Sequence, residues 1–421
     1  MRKISKLSLV AAVAVAGFST ANAQPLEQAI KDVEVSGSVV YRYNNYDDQA
    51  NTPSNQTESN NYKIGLNLAS KVNDYVKFNS RFIVGSTTDA GFASLNSSKD
   101  TTNGDIQADV TLSNAYFGLT AIPNTVVNIG KQGLTTPYTV ATDINGNEQT
   151  GTGILALTTV GPVTAGAGYF NATNLDDSGN GASSQEVTTD HKDVINNGYD
   201  MYVATIQGDL DLAKLEAWYA GMQDTFDSYT LAATGKLDFA KDAKVNLEDR
   251  YVNLTLDSNS AKVKALNLTD DNNGMFRLAA DGKFSIVNAR LAYTKTDKEG
   301  GLTALDQDAK NTSLGWTITS NGISDADYWQ AALGADILDN LNFTMHYGNL
   351  ESDATTNKTL SSKTKKVAGK KLEQEEVYGQ LTYKMSKNLN TYLRYGYFEQ
   401  KIDSKKDMDQ DMGRIQVAYS F

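Results

Sequence analysis

The chain of 421 residues contains no cysteine, only five prolines and only two histidines. It must therefore hold its fold together without disulfide bonds. Its composition, with 33 glycines and 21% charged positions, is neither collagen-like nor that of an obviously disordered chain. After the first two dozen positions it has no apolar run of 18 residues, which excludes a bundle of membrane-spanning helices.

The lack of long apolar runs leaves one kind of membrane protein open. In a membrane β-barrel, lipid-facing and water-facing residues alternate along each strand, so a spanning strand has the average hydropathy of a soluble one. The composition is thus compatible with two classes, a secreted soluble all-β protein and an outer-membrane barrel.

The first 23 residues have the three parts of a secretory signal peptide. A charged start with Arg2, Lys3 and Lys6 precedes an apolar stretch at 7–18, and small residues follow at 21–23. The apolar stretch is too short to cross about 30 Å of hydrocarbon, so we expect cleavage rather than anchoring.

Cleavage would make the exported protein more acidic. The mature chain, 24–421, loses three of the 38 basic residues and none of the 50 acidic ones, which changes the net charge from -12 to -15. Such a chain is not expected to bind nucleic acid. An acidic exported protein without cysteine fits the oxidising envelope of a bacterium.

The mature chain consists of short segments in which apolar and polar residues alternate, which is the period of a β-strand. The last segment is the clearest, since apolar side chains occupy every second position from Ile415 to Phe421. One face of such a strand meets lipid and the other meets water. The segments that follow this pattern are 33–43, 62–70, 76–85, 110–120, 125–132, 153–160, 163–170, 198–207, 213–222, 228–237, 243–254, 274–282, 284–293, 329–337, 341–349, 375–384, 390–399 and 413–421.

The connections between these segments alternate between short and long, as periplasmic turns and extracellular loops do. A soluble β-sandwich has no physical reason to confine its long loops to one end. The sequence therefore predicts an all-β fold, a transmembrane antiparallel up-and-down β-barrel of about 18 strands that forms one domain over 24–421. The long connections include 44–61, 86–109, 133–152, 171–197, 257–273, 294–328, 350–374 and 400–412.

Two segments leave a count of 16 strands possible. Near Glu248 and Asp249 the apolar residues change from odd-numbered to even-numbered positions, as a β-bulge would cause. Arg250, beside this change, therefore cannot be assigned to either face. The fourteenth strand could also lie at 311–319.

The strand positions that alternate with the apolar ones face the predicted lumen. They carry most of the basic residues. A guanidinium stays charged at any working pH and would cost about 2 to 4 kcal/mol on the lipid face near mid-bilayer. We therefore expect these side chains to line water, although each could instead pair with a carboxylate of the wall. The inward basic residues are Arg42, Lys63, Arg81, Arg277, Arg290, Arg394 and Arg414.

An 18-strand barrel leaves an aqueous channel that would discriminate poorly between solutes unless something narrowed it. The third long connection, about 133–152, is the preferred constriction loop because it is polar and carries Asp143 and Glu148. Folded inward, these carboxylates would face the arginines and create a transverse field across the pore. The sequence therefore predicts a porin for passive diffusion of ions and small hydrophilic solutes.

Two other functions remain compatible with a barrel. One is a surface adhesin or structural barrel with a plugged lumen, and the other is a substrate-specific channel. An enzyme is not expected, because the histidines, His191 and His346, lie in no HExxH, nucleophile-elbow or zinc pattern.

The start of the mature chain resembles a known family. Residues 25–37, with the sequence PLEQAIKDVEVSG, closely resemble the Campylobacter major outer membrane protein (porin) family. The signal segment at 7–12, the stretch 129–132, the pair Thr142 and Asp143, and the glycines around Thr152 are similar to the same family. These motifs cover a minor part of the chain, while its length and register fit throughout.

The resemblance implies a homotrimeric general-diffusion porin of the bacterial outer membrane with a mild preference for cations. Such a porin requires no cofactor, but the resemblance implies calcium near the constriction. Asp143 is the one residue of this chain that matches a calcium-binding position of the family. Asn171 stands where an acidic partner would be expected. Such a barrel would contact outer-membrane lipid and lipopolysaccharide, and its final aromatic residue, Phe421, would serve recognition by the assembly machinery.

Overall fold

Alternating segments of the chain pair with their neighbours in sequence as antiparallel strands. The computed structural model describes residues 32–50, 55–86, 90–96, 108–176, 178, 195, 197–265, 271–353 and 369–421. The predicted signal peptide at 1–23 lies outside these residues, and so does His191. The strands are β1 (Val33–Asp48), β2 (Asn55–Asn73), β3 (Val76–Gly85), β4 (Ala93–Asn96), β5 (Asp109–Leu119), β6 (Thr125–Gly133), β7 (Thr150–Val160), β8 (Val163–Thr173), β9 (Met201–Leu210), β10 (Ala213–Met222), β11 (Phe226–Ala240), β12 (Ala243–Leu256), β13 (Asn272–Phe284), β14 (Val287–Thr296), β15 (Ala326–Leu338), β16 (Leu341–Ser352), β17 (Leu372–Lys384), β18 (Leu389–Ile402) and β19 (Lys405–Ser420), and one short helix, α1, spans Ala261–Ala265.

The sheet closes on itself because β1 pairs with both β2 and β19, with Val39 opposite Tyr419. Eighteen strands form this barrel, and the short β4 pairs only with β2. The prediction of an 18-strand antiparallel barrel is confirmed, and each predicted segment overlaps one wall strand. The alternative of 16 strands is wrong. Residues 311–319 lie in the connection between β14 and β15, where Leu314 and Thr319 form an isolated bridge.

Several strands extend well beyond their predicted ends at the long-loop side. The connection predicted at 400–412 is a two-residue turn between β18 and β19, at Asp403 and Ser404, which both have positive φ. Likewise, most of 44–61 is strand. Above the hydrocarbon both faces of a strand can meet water, so the alternation that marks a strand in the sequence disappears.

The bulge predicted near Glu248 and Asp249 is wrong. Strand β12 pairs with β11 and β13 without a register shift at these residues, and Arg250 faces the lumen. In the sequence the apolar residues change parity here because Val252 and Leu254 face inward and are fully buried. They belong to an apolar cluster that forms inside the barrel beneath folded loops.

The outward face is rich in exposed apolar side chains, such as Leu333 at 61% and Tyr395 at 63% exposure. Inward positions on the same strands carry most of the charged residues. Within the described residues, none of the helices has the length and apolar character needed to cross a bilayer.

Candidate functional site: the loops and charges inside the barrel

Two connections fold into the barrel and meet there. The constriction loop (residues 134–149) joins β6 to β7, and the cross loop (residues 297–325) joins β14 to β15. The backbone N–H of Leu305 donates to the carbonyl of Tyr138 at 2.8 Å, and the N–H of Asn311 donates to the carbonyl of Pro137 at 2.9 Å. These bonds join the loops into one internal structure.

Apolar side chains under both loops explain why they stay inside. Leu134 and Tyr138 of the constriction loop pack in one cluster with Leu305 of the cross loop and with inward wall residues. A second cluster holds Ile318 and Ile323 of the cross loop. Burial of this apolar area favours the folded-in position, at roughly 25 cal/mol for each Å² removed from water.

Glu148 fixes the constriction loop to the wall of β2 and β3. Its carboxylate is 1% exposed and lies 2.7 Å from Lys63 Nζ and 2.7 Å from Arg81 Nη2. The Ser113 hydroxyl also donates to it. Ser113 reaches the lumen because a β-bulge shifts the register between β3 and β5 at this height. The carboxylate and both cations therefore form a buried brace.

Asp143 shapes the tip of the same loop. Its carboxylate accepts the backbone N–H groups of Asn145 and Asn147, each at 2.8 Å, and the Asn147 amide at 2.8 Å. The turn needs Gly146, whose φ is +83°. Burial, together with a smaller effect of the nearby Asp308 carboxylate, raises the pKa of Asp143 to about 6.

This raised pKa predicts a pH dependence of stability. Between about pH 4 and pH 6 the folded protein binds a proton at Asp143 more readily than the unfolded chain does, so the free energy of unfolding falls as pH rises. We expect this decline to be smaller in Asp143→Asn. Thermal unfolding in detergent at pH 4 and pH 7 measures it for both proteins, and an identical pH dependence would contradict the assignment.

A second group of charges holds the cross loop from the opposite wall. Glu248 accepts from Arg277 Nη2 at 2.6 Å and from Arg250 Nε at 3.2 Å. Arg277 also donates to the carbonyl of Lys310 at 2.9 Å, and Arg250 donates to Asn311 Oδ1 at 3.3 Å. Both guanidiniums thus donate to a wall carboxylate and to backbone or amide oxygens of the cross loop.

Glu376 on β17 holds the other end of the cross loop. Its carboxylate is 1% exposed and accepts the backbone N–H groups of Trp316 at 2.8 Å, Thr317 at 2.8 Å and Ile318 at 3.3 Å. Gly315 permits this approach, because a Cβ there would lie 1.7 Å from Glu376 Oε1.

Three arginines on neighbouring strands have a different environment. Arg394 on β18, Arg414 on β19 and Arg42 on β1 face the lumen, and Arg394 lies directly opposite Arg414 in the register. Arg42 reaches the constriction loop, donating to the carbonyl of Ile144 at 2.7 Å. Arg290, by contrast, pairs with Asp281 at 2.6 Å.

The structure thus places the predicted residues in two roles. Lys63, Arg81, Glu148 and Arg277 brace the loops through ion pairs, whereas Arg42 and Arg394 have neutral partners. Glu376, Glu248 and Trp316 were not predicted. A signal existed for the two glutamates, since each is an inward carboxylate on a strand, but their loop partners lie far away in the sequence.

The described residues contain no group of three or more His, Cys, Asp or Glu that could hold a metal ion. His346 faces the lumen and stacks on Tyr378, with ring centroids 4.4 Å apart and planes 11° apart. It has no carboxylate or serine partner in the part of the chain that the structure describes.

Comparisons with known proteins agree with this architecture. The family model described as Campylobacter major outer membrane protein matches residues 1–421. A search of curated protein sequences gave no significant match. Similar solved structures include OprD of Pseudomonas aeruginosa (15% identity, 92% of this chain and 93% of that chain, TM-score 0.68), OpdQ of the same species (15%, 93% and 99%, 0.69) and OccAB3 of Acinetobacter baumannii (13%, 92% and 99%, 0.69). At these identities the likeness shows the fold alone.

Proposed function

Because the chain belongs to the Campylobacter major outer membrane protein family, a porin family of the outer membrane, we propose that it conducts ions and small hydrophilic solutes by passive diffusion. The observation that carries this proposal is the pair of loops that fold into the 18-strand barrel and narrow its lumen. Charged groups of both signs, including the exposed Asp308 and Lys310 of the cross loop, face the space they leave.

A mild preference for cations is part of the proposal. The mature chain has a net charge of -15, which raises the local concentration of cations at its surface and at the channel mouths. Each brace inside the barrel joins one carboxylate, Glu148 or Glu248, to two cations, so we attribute the cation preference to the acidic surface and channel mouths and not to the braces. Calcium bound at Asp143 is part of the proposal. The second carboxylate ligand would be Asp308, which accepts the N–H of Ile144 at 2.9 Å.

The surroundings of the barrel follow from the same proposal. The signal peptide is cleaved after residue 23, the outward face contacts lipid and lipopolysaccharide, and three copies assemble. Phe421 serves the assembly machinery, and its backbone exchanges hydrogen bonds of 2.8 and 3.0 Å with Gly37 where β1 and β19 close the barrel.

Reconstitution into planar lipid bilayers tests the function. We expect stepwise increases of current at constant voltage, and a reversal potential that shows weak preference for potassium over chloride in a salt gradient. A plugged adhesin or structural barrel would insert without conductance, and that result would overturn the proposal. Swelling of liposomes in small sugars gives an independent readout for uncharged solutes.

A further inference from the structure

Arg394, Arg414 and Arg42 form one continuous surface on the inner wall, here named the arginine patch. They come from three consecutive strands of the ring, β18, β19 and β1. Arg394 and Arg414 are register partners, and Arg414 pairs with Asn44, two residues from Arg42 on the same inward face. The patch therefore concentrates three positive charges on a small area.

The three charges lack carboxylate partners among the residues that the structure describes. Arg42 donates to Gln416 Oε1 at 2.8 Å, Arg394 donates twice to Gln380 Oε1 at 2.8 and 2.7 Å, and Arg414 donates to Asn44 Oδ1 at 2.6 Å. These amide oxygens orient the guanidiniums without neutralising them.

The basic residues elsewhere on the inner wall make the contrast clear. Lys63 and Arg81 share Glu148, Arg250 and Arg277 share Glu248, and Arg290 has Asp281. Glu376, an inward carboxylate on the strand next to Arg394, uses its oxygens for the backbone of the cross loop. In the patch, by contrast, none of the three guanidiniums has a carboxylate within ion-pair distance among the described residues.

Burial makes this lack of compensation energetically important. Arg42, Arg394 and Arg414 are only 5%, 9% and 7% exposed. Charged groups withdrawn from water are costly unless an opposite charge lies beside them, and like charges on adjacent strands repel one another. An anion from solution at the patch relieves both effects.

Aromatic rings surround the same guanidiniums. The Arg394 guanidinium carbon lies 5.0 Å from the ring centroids of both Trp316 and Tyr378 and 5.4 Å from that of Tyr392, and that of Arg414 lies 5.7 Å from Trp316. Trp316 and Tyr392 are only partly buried. A ligand that reaches the guanidiniums would therefore meet ring surface as well as positive charge.

We propose that the arginine patch, with Trp316 and Tyr392 beside it, binds small carboxylates that carry an aromatic ring, and that the channel takes these solutes up preferentially. This inference rests on the proposed porin function and names a substrate class for it. The carboxylate pairs with the guanidiniums, as such planar forks do with carboxylates generally, and the ring lies against the aromatic side chains. A resident anion also lowers the positive charge of the patch, which is compatible with a weak cation preference of the whole channel.

Current recordings in planar bilayers with benzoate as the probe test the proposal. Benzoate should interrupt the potassium chloride current in a saturable manner, while its neutral analogue benzamide should not. Acetate, which lacks the ring, should need about a tenfold higher concentration for half-block. In Trp316→Leu, the advantage of benzoate over acetate should disappear.

Variants of the patch decide the role of the arginines. The double variant Arg394→Gln with Arg414→Gln should raise the half-blocking concentration of benzoate at least about tenfold. It is expected to fold, because removing uncompensated buried charges is not costly. The matched control is Lys283→Gln, which removes an inward cation that pairs with Asp336; its half-block should stay within about twofold of the original.

The outcomes separate this inference from the proposed function. Normal conductance without benzoate block overturns the inference and leaves the porin intact. Equal loss of block in Lys283→Gln would show an effect of net charge alone, and unchanged block in the double arginine variant would exclude the patch, so either result overturns the inference. A protein that inserts but never conducts overturns both.

Discussion

Replacing Glu148 by glutamine is expected to raise single-channel conductance by about twofold and to move the reversal potential toward anions. The buried carboxylate pairs with Lys63 and Arg81 and accepts the Ser113 hydroxyl. Removing one partner of such a buried ion pair typically costs about 3 to 5 kcal/mol, because the other charges stay buried without a counter-charge.

The expected change in the pore follows from where this cost arises. Lys63 also donates to the carbonyl of Gly146, so the brace holds both the base and the tip of the constriction loop. Once Lys63 and Arg81 repel each other without a carboxylate between them, the loop moves away from β2 and β3 and the lumen widens. Two uncompensated cations then favour anions.

Bilayer recordings of conductance and reversal potential in a salt gradient measure both effects. A suitable control is Asp336→Asn, since this inward carboxylate bonds to the wall residues Lys283 and Asn342. It removes the same charge and should leave conductance near its original value. If the joint variant Asp143→Asn with Glu148→Gln kept its selectivity, the constriction loop would have no part in the constriction.

The barrel itself could be predicted because lipid imposes a strict rule on the sequence. Outward side chains between Ile415 and Tyr419 must be apolar, so the strand is visible as alternation. The rule ends where the hydrocarbon ends, so the polar hairpin around Asp403 and Ser404 carries no alternation that would mark it as strand. It fails also at Val252, an inward residue that is apolar because folded loops cover it.

The inward parity of the basic residues could be predicted in the same way, but not their partners. Arg81 and Arg394 have the same pattern in the sequence, yet one lies against Glu148 and the other against Gln380. Gln380 lies opposite Arg394 on the adjacent strand of the same hairpin, whereas Glu148 belongs to a loop 67 residues after Arg81 in the chain. The position of that loop is not encoded in local periodicity.

Glu376 illustrates the limit most clearly. In the sequence it is one carboxylate of a polar run that also contains Glu373 and Glu375, and only its inward parity distinguishes it from them. Its function depends on backbone N–H groups that lie about 60 residues earlier in the chain. Backbone donors carry no residue signature, so a site of this kind can be recognised only after the fold is known.

Replacing Glu376 by glutamine is the second change for which we expect a large effect. The carboxylate accepts three backbone N–H groups of the cross loop, and each bond to a charged acceptor contributes about 1.5 to 3 kcal/mol. A glutamine amide would place N–H donors against Thr317 or Trp316, where only an acceptor fits. We therefore expect the cross loop to leave the wall, conductance to rise and the unfolding temperature to fall.

The neighbouring Glu375→Gln provides the matched control, because this residue is on the same strand with its side chain outward, away from the cross loop. Both variants lose one negative charge. An equal change in conductance would therefore indicate long-range electrostatics and would contradict the role of Glu376 in holding the cross loop. Thermal unfolding in detergent, followed by circular dichroism, distinguishes the two variants by a second measurement. Loss of three bonds to a buried carboxylate must lower the unfolding temperature of Glu376→Gln alone, and an unchanged temperature would mean that the apolar cluster around Ile318 holds the loop without Glu376.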